Sequence, residues 1–107
     1  TYGPVPALRE ALAQVPRLEA AAIYGSWAKR RSGEPGQVPH DLDVLAIGTP
    51  SRHALYEAID DVEQRLGLEI NVKKLSREGW NSYDPFVKTV LSRPIIPLFG
   101  DLGDNDA

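Results

Sequence analysis

The segment Asp41–Ile47, which reads DLDVLAI, constrains the fold of this chain more than any other feature. It begins with two aspartates separated by one leucine and then becomes fully apolar, as a strand entering a core does. In an extended strand Asp41 and Asp43 project from the same face. Two like charges about 4 Å apart in a partly screened site cost about 4 kcal/mol. The protein must therefore protonate one carboxylate, expose both to water, or place a divalent cation between them.

A second short segment carries groups suited to binding phosphate. The apolar run Leu18–Tyr24 predicts a buried strand that Gly25 closes, and Ser26 follows at the expected N-terminus of a helix. Glycine lets a backbone approach a ligand closely, and a helix N-terminus presents unpaired N–H groups. Lys29 and Arg30 lie on the following turns and could neutralise a triphosphate.

A third carboxylate is expected from the next strand, Leu68–Leu75, whose alternation places Glu69, Asn71 and Lys73 on one polar face. If this strand pairs with the one before it, Glu69 meets the two aspartates. Three carboxylates beside a phosphate cradle suit magnesium and two-metal phosphoryl chemistry, in which one ion activates a hydroxyl and the other holds the leaving pyrophosphate. The residues therefore predict catalytic and metal-binding roles for Asp41, Asp43 and Glu69, and nucleotide-binding roles for Gly25, Ser26, Lys29 and Arg30.

Each of these features also has a simpler interpretation. The two aspartates could be a solvated strand start, and Glu69 an ordinary exposed glutamate. Ser26 could cap a helix without touching a ligand, and the basic residues could form a solvated turn. His40 precedes the aspartates, but without a second histidine nearby it is more typical of a loop than of a metal site.

The remaining pattern predicts a small α/β domain with the order α, β, α, β, α, β, α. Helices are expected over residues 4–15, from Thr49-Pro50 to Leu66, and from Asp84-Pro85 onward. Gly67 should end the second of these, and Ser76 should cap a short turn that carries Trp80. The fold class expected is α+β, a small mixed sheet with helices packed mainly on one face. A doubly wound nucleotide-binding fold would need more strands.

The proline-rich segment RPIIPLFG is predicted to be an edge strand or an extended segment, because proline cannot donate to a central ladder. Residues 1–100 are expected to form one domain, and the polar stretch 101–107 an acidic flexible tail. Because the chain begins at Thr1 and contains no methionine, it is interpreted as one domain of a longer polypeptide.

Composition excludes several classes of function. The net charge of −3 provides no overall basic field, so direct DNA binding by this domain is not expected. No apolar run approaches membrane-spanning length. The absence of cysteine excludes disulfides, thiolate metal sites and cysteine nucleophiles, and is compatible with the cytoplasm.

The segments GSWAK and DLDVL together resemble the Gly-Ser…Asp-x-Asp signature of the DNA polymerase β-type nucleotidyltransferase superfamily, in its minimal form. Gly25, Ser26 and Ala28 match that signature. Lys29 replaces its arginine, Arg30 stands where its second glycine would be, and the following loop is longer than is common. The resemblance continues into LEINVKKL, where Glu69 falls at the place of the third acidic ligand. The span 2–100 further resembles nucleotidyltransferase domains that follow a winged-helix DNA-binding domain of the arsenical-repressor type.

The resemblance implies a nucleotidyltransferase fold and magnesium-dependent transfer of a nucleoside monophosphate, with AMP from ATP as the expected case, to a hydroxyl of a protein or small molecule. Two magnesium ions are expected during turnover. The implied partners are a nucleotide, a protein acceptor such as a toxin, and a fused or associated winged-helix domain. The alternatives are a catalytically silent nucleotide-sensing domain of a transcription regulator and an interaction module whose carboxylates form a surface patch.

Overall fold

The helices and strands follow one another in nearly the predicted order. A computed structural model of the chain describes residues 4–25 and 41–102. The elements are α1 (Pro4–Leu12), β1 (Leu18–Tyr24), β2 (Asp41–Gly48), α2 (Arg52–Leu66), β3 (Glu69–Leu75), α3 (Arg77–Asn81), α4 (Pro85–Leu91) and β4 (Ile96–Gly100). The predictions for Ser26, Lys29, Arg30 and His40 concern residues outside the described part of the chain.

The four strands form one mixed sheet in the order β3-β2-β1-β4. Strand β1 is antiparallel to both β2 and β4, whereas β2 and β3 are parallel. A parallel pair needs a crossover connection, and α2 supplies it. The proline-rich segment is therefore the edge strand β4, one of the two structures predicted for it. The predicted fold class, a small mixed sheet in an α+β domain, is confirmed.

The alternation along β2 divides the interior into two apolar clusters, one on each face of the sheet. Leu42 and Val44 join the larger cluster, which the longer helices α1 and α2 cover. Leu45 and Ile47 join the smaller cluster with Trp80, under the short helices α3 and α4. Most of the helical residues therefore pack on one face, as predicted. Asp41 and Asp43 share the face of the smaller cluster, because they have the same parity in β2 as Leu45.

The caps of the helices explain where most of them begin and end. Gly67 ends α2 in the left-handed conformation with φ 67°, and its N–H donates to the Glu63 carbonyl. Ser76 caps α3 by accepting a hydrogen bond from the Gly79 N–H at 2.9 Å. Asp84 caps α4 in the same way through Val87, with Pro85 in the first turn. These three signals were predicted and are confirmed.

The predicted start of α2 at Thr49-Pro50 is wrong by two residues. The cap is Ser51, whose side chain accepts a hydrogen bond from the Ala54 N–H at 3.1 Å. Thr49 lies before the helix, where its N–H donates to the carbonyl of Arg17 at 3.1 Å. Threonine and serine are both favourable capping residues, so the pattern alone does not choose between Thr49 and Ser51.

Helix α1 ends at Leu12 rather than at the predicted residue 15. Pro16 follows closely, and the residue before a proline is disfavoured in helical conformation, so the chain leaves the helix early. The N–H of Val15 donates instead to the Leu12 carbonyl at 3.1 Å, in a tight turn. None of the helices in the described part of the chain is long and apolar enough to cross a membrane.

The chain after β4 is attached to α3 by two hydrogen bonds. The Trp80 indole donates to the Leu102 carbonyl at 2.7 Å, and the Arg77 guanidinium donates to the Asp101 carbonyl at 2.8 Å. Arg77 also pairs with Glu19 at 3.0 Å, which ties α3 to β1. The first two residues of the expected tail are therefore held against the domain, and residues 103–107 lie outside the described part.

Candidate functional site

Three strand ends meet at one end of the sheet and place Asp41 and Asp43 beside the start of β3. Because β1 and β2 are antiparallel, the last residue of β1, Tyr24, pairs with Asp43 near the start of β2. Because β2 and β3 are parallel, the start of β3 lies beside the same residues, with Asp41 opposite Glu69 and Asp43 opposite Asn71. The topology thus gathers groups from three strands that are distant in sequence.

The two aspartates lie at the exposed end of an otherwise buried strand. Asp41 is exposed and Asp43 is half-buried, whereas Leu42 between them is completely buried. Burial of Leu42 on the opposite face fixes the direction of both carboxylates, since a one-residue slip of β2 would turn Asp41 and Asp43 into the larger apolar cluster. The shared face that the sequence predicted for Asp41 and Asp43 is what the structure has.

Asn71 bridges the two carboxylates. Its side-chain nitrogen lies 3.3 Å from Asp41 Oδ2 and 3.4 Å from Asp43 Oδ1. The amide is neutral and donates to both anions, so it offsets part of their mutual repulsion. The alternation of β3 predicts the correct face for Asn71 but no role for it. The parallel register between β2 and β3, which pairs Asn71 with Asp43, is the signal that identifies it.

Glu69 lies opposite Asp41 in the register of the sheet, on an exposed stretch of β3. Within residues 4–25 and 41–102, however, no three side chains of His, Cys, Asp or Glu are grouped closely enough to hold a metal ion. The structure therefore brings together Asp41, Asp43 and Asn71, and it places Glu69 at the neighbouring register position. Its role as a third ligand stays a prediction.

The backbone of Gly25 lies close to the Asp43 carboxylate. Its φ is +78°, a conformation that favours glycine, and a Cβ at this position would lie 2.6 Å from Asp43 Oδ2. Any side chain here would therefore push on the carboxylate. The Asp43 side chain is the nearest neighbour of Gly25, and the close approach of this backbone to a bound ligand stays a prediction.

Aromatic side chains line the sheet next to the aspartates. The Tyr24 ring packs edge-on against Phe86 of α4, with 5.8 Å between centroids, and the Lys73 ammonium lies 5.2 Å from the Phe86 centroid. Burial, and secondly the negative charge of Asp43, raise the pKa of the Tyr24 hydroxyl above its usual value. Tyr24 is therefore a neutral hydrogen-bonding group beside Asp43 at neutral pH.

The donor set at this end of the sheet fits a hard divalent cation. Magnesium takes oxygen ligands, commonly one or two carboxylates together with phosphate oxygens of a substrate. Asp41 and Asp43 provide two carboxylates on one face, and Gly25 leaves to the Asp43 carboxylate the space that a Cβ would take. A groove between α2 and Ile70 contains none of these residues and has no part in the arrangement.

Comparison with known proteins shows similarity in structure rather than in sequence. No protein-family model matches the chain, and no curated protein matches it. A toxin–antitoxin crystal structure with AMP-PNP aligns with 97% of this chain and 79% of its own, at 14% identity and a TM-score of 0.62. A mutant of the toxin–antitoxin MntA-HpeT aligns with 95% of this chain and 74% of its own, at 15% identity and a TM-score of 0.57.

A third similar structure is the tri-AMPylated Shewanella oneidensis HEPN toxin in complex with MNT antitoxin. It aligns with 95% of this chain and 71% of its own, at 16% identity and a TM-score of 0.53. Identity this low establishes a shared fold and nothing further. The nucleotidyltransferase fold expected from the sequence is thus confirmed.

Proposed function

We propose that this chain is a magnesium-dependent nucleotidyltransferase that moves a nucleoside monophosphate, with ATP as the donor, to a hydroxyl. The observation that carries the proposal is the meeting of Asp41, Asp43 and Gly25 at one end of the sheet. Paired carboxylates beside a close backbone approach are what a metal-bound triphosphate requires.

The proposal gives each residue a separate task. Asp41 and Asp43 hold magnesium, which when bound neutralises phosphate charge and activates the acceptor hydroxyl. Glu69, in the register of Asp41, is the third acidic ligand expected from the sequence. Gly25 keeps the backbone next to the site free of a side chain. The last set, Ser26, Lys29 and Arg30, follows Gly25 in sequence and is assigned to the phosphates.

The proposed acceptor is the hydroxyl of a partner protein. Two observations support this choice: the structural similarity to toxin–antitoxin complexes, and the AMP-modified toxin in one of them. The resemblance noted in the sequence adds a second proposed partner, a winged-helix DNA-binding domain fused to or associated with this one.

The test is transfer of label from ATP carrying a radioactive α-phosphate, in magnesium, to a candidate acceptor protein. We expect Asp43→Asn to abolish labelling, because it removes a charged ligand while keeping the shape of the side chain. The matched control is Asp60→Asn, the same chemical change at an exposed position of α2, which should leave labelling intact. Equal labelling by wild type and Asp43→Asn would refute the mechanism.

One observation favours a second candidate, a nucleotide-sensing domain without turnover. In the described part of the chain two carboxylates are bridged by a neutral amide, and no third carboxylate completes the group. Such a site could bind a magnesium–nucleotide complex without supporting two-metal chemistry. Saturable binding of ATP with no release of pyrophosphate in the presence of the acceptor would support this candidate and refute transfer.

A further inference from the structure

We infer that Asn71 is the positioning residue of the acidic site. Its side-chain amide holds the carboxylates of Asp41 and Asp43 side by side, ready for one divalent cation, at a place where a third carboxylate would add charge. The inference deepens the proposed function and rests on it for the nature of the ligand. It concerns a residue to which the sequence assigned no task.

The register of the sheet gives Asn71 this position. In the parallel pairing of β2 with β3, Asn71 lies opposite Asp43, and its side chain projects from the same face as both aspartates. Its nitrogen reaches one oxygen of each carboxylate, at 3.3 Å and 3.4 Å. Each carboxylate keeps its other oxygen free of this amide. The amide therefore connects the pair from one side and leaves oxygens available to a cation.

The charge of the group distinguishes Asn71 from an aspartate at the same position. Asp41, Asp43 and Asn71 by themselves carry a charge of −2, with Glu69 counted apart as the neighbouring ligand. A carboxylate in place of the amide would give −3. Without a cation, the three carboxylates would repel one another more strongly, and they would attract a divalent cation more strongly. Replacing the amide by an apolar group would instead remove the connection without changing the charge.

The experiment compares manganese binding by wild type, Asn71→Leu and Asn71→Asp, with free Mn²⁺ followed by electron paramagnetic resonance. Loss of two hydrogen bonds in Asn71→Leu should weaken Mn²⁺ binding about two- to tenfold. A unit charge about 5 Å from a divalent cation in water contributes roughly tenfold in affinity, so Asn71→Asp should tighten binding by about that factor. The same substitutions at Asn81, an exposed asparagine at the end of α3, serve as matched controls and should leave the Kd unchanged.

Thermal unfolding without metal separates positioning from a purely structural contribution. A structural role would make both Asn71 variants less stable and change their Mn²⁺ affinity in the same direction. The positioning role predicts lower stability for Asn71→Asp without metal together with higher affinity, and lower affinity for Asn71→Leu. Opposite changes in affinity support the inference, and equal or parallel changes overturn it.

The outcome for Asn71 is distinguishable from the outcome for the proposed function. If wild type binds Mn²⁺ and the variants shift its Kd in opposite directions, the positioning role stands even when no nucleotide is transferred. If wild type transfers nucleotide while both variants bind Mn²⁺ as wild type does, the positioning role is refuted and transfer stands. Absence of Mn²⁺ binding by wild type refutes the positioning role as well.

Discussion

Replacing Gly25 by alanine tests the geometry of the site most sharply, because the chain supplies a matched control. The new Cβ would lie 2.6 Å from Asp43 Oδ2, whereas ordinary contact begins near 3.4 Å. The carboxylate would have to move by roughly 0.8 Å to restore ordinary contact. In addition, the left-handed backbone at φ +78° costs an alanine about 1–2 kcal/mol.

The control is Gly67→Ala at the end of α2. Gly67 has a similar φ of +67°, but a Cβ there would meet no atom within 4 Å. It therefore carries the backbone cost of about 1–2 kcal/mol without any contact at the carboxylates. For a domain of this size, a change of 1 kcal/mol lowers the melting temperature by about 4–8 °C.

The assay combines thermal unfolding with calorimetric titration of ATP in the presence of magnesium. We expect both variants to lose a similar part of their stability to the backbone, and Gly25→Ala alone to lose nucleotide affinity. If Gly25→Ala binds the magnesium–ATP complex as tightly as Gly67→Ala does, the close approach of Gly25 to Asp43 has no part in nucleotide binding.

Three further predictions concern the cap of α2, the hydrogen bond of Trp80 and the pKa of the Tyr24 hydroxyl. Replacing Ser51 by alanine should lower the free energy of unfolding, measured with urea, by about 1 kcal/mol, because α2 loses its cap. Thr49→Ala should lower it by less than half as much, and equal losses would contradict the observed cap. Trp80→Phe should cost about 1–2 kcal/mol, since the buried ring loses its hydrogen bond to the Leu102 carbonyl; an unchanged urea midpoint would contradict that anchor. Because the pKa of Tyr24 is raised in the folded protein, the Tyr24 hydroxyl loses its proton at a lower pH in the unfolded chain than in the folded one. The free energy of unfolding should therefore fall as the pH rises above about 10. Tyr24→Phe should flatten stability in that alkaline range, and an identical pH profile would contradict the shift.

Local signals predicted most of the fold because they act over a few residues. Gly67, Ser76 and Asp84 mark helix ends through hydrogen bonds to their own neighbours, and each was identified from sequence. The start of α2 was missed because Thr49 and Ser51 are both favourable capping residues two positions apart. The structure shows that Ser51 is the one whose side chain accepts the Ala54 N–H.

The candidate site shows a division between local and long-range information. Alternation within β2 was enough to place Asp41 and Asp43 on one face. Which residue of β3 lies beside them depends on the register across the α2 crossover, and the pattern of β3 alone fits Glu69 and Asn71 equally well. The sequence therefore predicted the face and the pair of carboxylates, but not the amide that bridges them.

Paramagnetic NMR with manganese is the sharpest test of a cation site at Asp41 and Asp43, because it locates the bound cation. Substoichiometric Mn²⁺ broadens the backbone signals of nearby residues. We expect broadening at Asp41, Asp43 and Asn71, confined to that end of the sheet and lost in Asp43→Asn. Broadening at the acidic surface of α2, around Asp60 and Asp61, with the three strand residues unaffected, would contradict it.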